Sequence, residues 1–147
     1  MEKRELSKRE WLDKCEAYCA KSEHCAADVK RKLYEWGATA DLFDEIEESL
    51  YKNDFLNDAR FCHAYVHDKI EYQSWGRMKI QAGLRALELP ETEIRKSIDN
   101  IDENTYLNNL KNLISQRRSD TPEKLLRFLA QRGFTYEEIM KYFNKNY

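Results

Sequence analysis

Apolar residues recur along this chain at helical spacing, and the same spacing returns three times. Trp11, Leu12, Cys15, Tyr18 and Cys19 fall at offsets 0, 1, 4, 7 and 8, one face of an α-helix. Tyr106, Leu107, Leu110, Leu113 and Ile114 repeat those offsets. Between them, Phe61, Cys62 and Tyr65 begin the pattern, but Asp68 and Lys69 stand where apolar residues are expected. There the spacing predicts that Val66 and Ile70 take over the buried stripe. Downstream, Leu33, Leu84 and Leu129 anchor a second ruler. Four residues on lie Gly37, Glu88 and Gly133, and ten residues on lie Phe43, Ile94 and Ile139.

Each copy therefore reads as helix, turn, helix, turn, helix. Ser22, Asn57 and Ser74 are the expected N-caps of the helices that follow them. Pro90 and Pro122 are expected in first turns, where a missing N–H costs little. Gly37 and Gly133 suit left-handed C-caps, whereas Glu88 does not, so Pro90 is expected to stop the helix in the middle copy. Gly83 falls mid-helix and predicts close approach by a neighbouring element. A single unit cannot bury its apolar face alone, so neighbours must stack. The expected fold is all-α: an elongated, curved array of three tandem three-helix repeats at 11–56, 57–102 and 103–147, after an N-terminal extension at 1–10.

Composition narrows the function classes. Four Gly and two Pro in 147 residues fit helices joined by short turns. No apolar run is long enough to span a bilayer, and the charged start "MEKRELSKREWLDK" lacks an apolar signal core, so a cytoplasmic chain that does not touch membranes is expected. The net charge of −2 conceals an acidic stretch at 41–58 and a basic one at 111–132. Cys15, Cys19 and Cys62 sit at core offsets, where cysteine acts as a small hydrophobe, so neither metal nor disulfide is expected. Single glycines, three histidines and the absence of a nucleophile motif argue against phosphate loops and hydrolytic catalysis. The expectation is a non-enzymatic chain with no catalytic residues and no cofactor.

Recognition remains. Trp75, Arg77 and Lys79 open a helix, and an aromatic beside two cations suits a phosphate backbone or an acidic protein surface. Trp75 equally suits packing between repeats. Arg117 and Arg118 suit a helix C-terminus, and Lys124, Arg127 and Arg132 form a basic stripe. These eight residues are the contact candidates. Stripes of this kind bind nucleic acid with strong salt dependence and equally dock acidic loops.

Three segments resemble the RecX family, bacterial modulators of the RecA recombinase: "NDARFCHAYVHDKI" (57–70), "WGRMKIQAGLRALELPETEI" (75–94) and "RFLAQRGFTYEEI" (127–139). Asp58, Arg60, Gly76, Arg77, Arg127, Arg132, Gly133 and Phe134 occupy the family's motif positions. The resemblance implies three tandem three-helix repeats and binding in the groove of the RecA filament on single-stranded DNA. It also implies restraint of RecA's ATPase and strand exchange, in the setting of DNA repair and the SOS response. Asp58 is then expected in a helix first turn, with Gly133 and Phe134 as cap and core. Glu88 and the net negative charge depart from the family's pattern, so single-stranded DNA is expected to be bound weakly or indirectly, by a monomer. The alternative is a helical-repeat protein that binds nucleic acid independently of RecA. A repeat adaptor gripping peptides in its concave face is a further reading.

Overall fold

The computed structural model describes residues 5–146. Among these residues there is no strand, and the order is α1 (Lys8–Lys21), α2 (Ala26–Trp36), α3 (Phe43–Lys52), α4 (Asp58–Asp68), α5 (Arg77–Ala86), α6 (Glu91–Asp99), α7 (Glu103–Gln116), α8 (Pro122–Gln131) and α9 (Tyr136–Asn146). A single 3-10 turn precedes α3, and a π-helical segment, Lys69–Gln73, prolongs α4. The first four residues of the expected N-terminal extension lie outside the described residues. The chain divides into two compact units, residues 1–61 and 62–147.

In the first unit, Ser7 and Glu10 form a reciprocal capping box, so α1 begins three residues ahead of Trp11. Trp11, Leu12, Cys15, Val29, Leu33, Ile46, Leu50 and Leu56 form its core. Ser22 does not cap α2. It closes α1, and its hydroxyl lies 3.1 Å from His24 Nε2, while Asp28 receives the Cys25 N–H at 3.3 Å and caps α2 instead. The acid wins because it reaches back from the third helical position to the N-cap amide. Arg60 joins Glu23 to the turn after α3, donating to Asp54 Oδ2 at 3.1 Å and to the Asp54 carbonyl at 2.9 Å. Asp58 sits in the first turn of α4 and accepts the Tyr51 hydroxyl at 2.7 Å. Asn57 caps α4 as expected, accepting the Arg60 N–H at 2.9 Å. Both early motif residues, Asp58 and Arg60, are thus bound up in holding their own unit together.

The anchor leucines explain the second ruler. Leu33, Leu84 and Leu129 are wholly buried. Each carbonyl receives the N–H five residues on, from Ala38 at 2.9 Å, Leu89 at 3.2 Å and Phe134 at 3.0 Å. That bond closes a helix through one left-handed residue, and Gly37, Glu88 and Gly133 supply it with φ of 88°, 64° and 102°. Glu88 therefore adopts the turn itself. The stop expected of Pro90 is corrected on this point: Pro90 is the N-cap of α6, one residue outside the helix, whereas Pro122 does occupy the first turn of α8. Val66 and Ile70 are buried and Asp68 is exposed, as the shifted stripe predicts. A Cβ at Gly83 would overlap the Tyr65 hydroxyl and lie 3.1 Å from its ring Cζ, so a tyrosine of α4 is the close neighbour.

Candidate interaction face in the second unit

The start of α5 carries no side-chain cap, because Gly76 is the N-cap residue. Ser74, the expected cap, takes a left-handed conformation that ends the π-helical segment. Three N–H groups at this helix start are instead satisfied from distant parts of the chain. Gly76 donates to the Arg132 carbonyl at 2.7 Å, Arg77 to the Tyr106 hydroxyl at 3.0 Å, and Met78 to the Gly133 carbonyl at 3.1 Å. The turn between α8 and α9 lies so close that a Cβ on Gly76 would overlap the Gly133 carbonyl and come within 2.5 Å of the Phe134 nitrogen. Tertiary structure caps this helix, and the bare Cα of Gly76 is what permits it.

Arg77 locks the same junction. Its guanidinium lies 4.0 Å from the Tyr106 ring centroid, donates to Glu138 at 2.9 Å and pairs with Glu103. Burial works against its charge, yet Glu138, Tyr106 and Glu103 outweigh that effect and hold its pKa above the ordinary value. Burial, reinforced by Glu138, likewise raises the pKa of the Tyr106 hydroxyl. Glu138 is itself fixed, accepting the Thr135 N–H at 2.9 Å at the start of α9.

Around this junction runs a ladder of cations and aromatic rings. Arg117 and Arg132 lie 3.8 and 5.4 Å from the Phe128 ring centroid. Arg132 also donates to the Gln73 carbonyl at 2.9 Å, which ties α8 to the π-helical segment. Two residues beyond Gln73, the Trp75 ring has the Lys69 and Lys79 ammonium groups 4.5 and 4.3 Å from its centroid. Lys69 reaches the Tyr65 ring as well, at 5.2 Å. Among the described residues Lys69, Lys79 and Arg132 make no ion pair, while Arg117 meets Asp120 at 3.5 Å. Tyr72, in the π-helical segment, and Tyr136, at the start of α9, are 76% and 65% exposed.

The candidate residues therefore separate into two sets. Trp75, Lys79, Arg117 and Arg132 come together on the ladder. Arg118, Lys124 and Arg127 are exposed and make no ion pair among the described residues. Gly76, Gly133 and Phe134 build the junction beneath, Phe134 being buried against Tyr106 with ring centroids 5.2 Å apart. Arg77 belongs with them, only 22% of its side chain being exposed. By contrast the run Lys30, Arg31 and Lys32 is met by Glu47, Asp28 and Glu35. Lys69, Phe128 and Glu138 escape a reading of the sequence. The one signal for Lys69 was the break in apolar period, which falls where the helix leaves α winding.

Among the described residues no group of three or more His, Cys, Asp or Glu side chains is placed to hold a metal ion, and no helix is long and apolar enough to cross a membrane. Fold and face together define an all-helical protein whose distinctive surface is cationic and aromatic. Residues 57–98 match the family model described as the second three-helix domain of RecX. A protein called Regulatory protein RecX from Pelodictyon phaeoclathratiforme is 29% identical over 121 residues, covering 79% of this chain and 76% of its own. One of the same name from Clostridium perfringens is 29% identical over 120 residues, and the chain spans only 56% of its length. Among solved structures, RecX from Lactobacillus salivarius superposes with a TM-score of 0.77 at 16% identity, covering 94% of this chain and 95% of that one. A second, titled regulatory protein RecX, gives 0.73 at 19% identity over 96% and 81%. The chain is thus similar in sequence to RecX regulatory proteins over most of its length, carries a match to their second three-helix domain, and shares their fold.

Proposed function

We propose that this protein restrains the RecA recombinase by binding its filament on single-stranded DNA, lowering both ATPase and strand exchange without chemistry of its own. The observation that carries the reading is the ladder: Lys69, Lys79 and Arg132 hold charge that no acid of the described chain neutralises. A filament that combines protein with a phosphodiester strand supplies the missing anions, and such contacts release counterions. Aromatic rings between the cations suit a partner with flat, unstacked bases. The same reading places the protein in the bacterial cytoplasm, in DNA repair, with three-helix repeats at 11–56, 57–102 and 103–147.

The test is RecA's single-stranded-DNA-dependent ATPase with this protein added well below RecA stoichiometry. The expected result is strong inhibition, weakened by Lys79→Glu and by Arg127→Glu. No inhibition at equimolar protein would refute the proposal. The rival reading, nucleic-acid binding independent of RecA, is favoured by the stacking surface at Trp75. It predicts tight binding to oligothymidylate alone, with log affinity falling steeply against log salt.

A further inference from the structure

We infer that Arg77 serves partner binding as a positioning residue, setting the geometry of the cation–aromatic ladder without touching the partner. The inference rests on the proposed function above. Arg77 is the most conspicuous cation at the start of α5, but its two donor arms are taken by Glu138 and Glu103 and its flat face by Tyr106. An incoming phosphate would have to break an ion pair at 2.9 Å in which both side chains are about four-fifths covered. Removing a buried partner leaves the other charge uncompensated, so that exchange is unfavourable.

What Arg77 does reach is the helix start that the ladder shares. Trp75 lies two residues before it and Lys79 two residues after it, on either side of the three N–H groups held by Arg132, Tyr106 and Gly133. Arg132, whose carbonyl receives the Gly76 N–H, is itself a member of the ladder. The ladder thus has two halves from different parts of the chain, Trp75 with Lys79 at the start of α5 and Phe128 with Arg132 at the end of α8. The Gly76–Gly133 contact and the Arg77–Glu138 pair hold them in register. Without the pair, α5 is free to shift against the turn between α8 and α9, and the two halves no longer meet one partner together.

A contact role and a positioning role predict opposite signs at Glu138. Were Arg77 a contact, Glu138→Gln would release its guanidinium and tighten binding. As a positioning pair, Arg77→Gln and Glu138→Gln each weaken binding about two- to thirtyfold, the range for residues that act without touching a ligand. The double variant is then no worse than the weaker single, because both break one pair. Glu138→Gln retains an oxygen for the Thr135 N–H.

The experiment measures affinity for RecA filaments on fluorescein-labelled oligothymidylate across a salt series, corrected for the folded fraction by circular dichroism at the same temperature. Removing a contacting cation lowers the log–log salt slope by about one, as expected for Lys79→Gln. Arg77→Gln is expected to lower affinity at unchanged slope. Tighter binding by Glu138→Gln, a slope lowered by Arg77→Gln, or unchanged affinity in both variants overturns the inference while leaving the proposed function intact. Absence of filament binding by the unaltered protein overturns both.

Discussion

Replacing Gly76 with alanine adds one methyl group where two backbone segments of the second unit meet. Gly76 has an ordinary extended backbone, φ −79° and ψ 163°, so alanine is not strained by conformation. Space is the whole objection. The new Cβ would come within 2.5 Å of the Phe134 nitrogen and overlap the Gly133 carbonyl, all rigid backbone atoms. Restoring normal contact requires the segments to part by about 1 Å, which takes both cross-segment hydrogen bonds past the ordinary limit near 3.2 Å. Those bonds are Gly76 N–H to Arg132 at 2.7 Å and Met78 N–H to Gly133 at 3.1 Å. Each costs about 1–3 kcal/mol when its buried groups are left unsatisfied. Alanine recovers about 0.5–1 kcal/mol through the unfolded chain. The expected net loss is roughly 1–5 kcal/mol. Gly37→Ala is the matched control: its φ is +88° with nothing within 4 Å of a new Cβ, so only conformational strain of about 1 kcal/mol applies. Urea unfolding followed by far-ultraviolet circular dichroism measures both variants, and hydrogen exchange at the Met78 amide reports the junction directly. A Gly76→Ala loss no larger than that of Gly37→Ala would refute the reasoning.

Glu88 holds a left-handed conformation at φ 64°, so Glu88→Gly is expected to stabilise the chain by up to about 1 kcal/mol, seen as a raised urea midpoint. Asp102 caps α7, and its hydrogen bonds from the Thr105 N–H and hydroxyl hold its carboxyl below the usual range. A depressed folded pKa means the unfolded chain binds more protons, so this contribution is complete above about pH 4 and is lost as pH falls through the folded value. The stability difference between the natural chain and Asp102→Asn should therefore move against the natural chain with acidification, in urea titrations from about pH 6 to pH 3. Burial pushes the thiols of Cys15 and Cys25 up to about 11, so a thiol-reactive disulfide reagent should label these two at neutral pH only after unfolding. Rapid labelling of either in the folded chain would contradict that burial.

Period and punctuation in the sequence determined the helices. Apolar offsets located Trp11, Leu33, Leu84, Tyr106 and Leu129 in buried positions, because helix faces repeat every 3.6 residues whatever they pack against. Gly37 and Gly133 announced left-handed caps because the penalty they avoid is local. Local rules failed where a distant group answered a local need. Ser74 looked like a cap and was not one, since carbonyls of Arg132 and Gly133 already served the start of α5. Glu88 was tolerated against its own backbone preference because Leu84 and Leu89 close the same bond around it. Composition marked Arg77 and Lys79 as equals, and only folding separated them. One is enclosed by Glu138, Glu103 and Tyr106, and the other lies over Trp75 with its charge unpaired among the described residues. A residue's type and spacing are written in the chain, but its electrostatic partners come from segments tens of residues away, and only the tertiary structure decides whether its charge is spent inside or left for a partner.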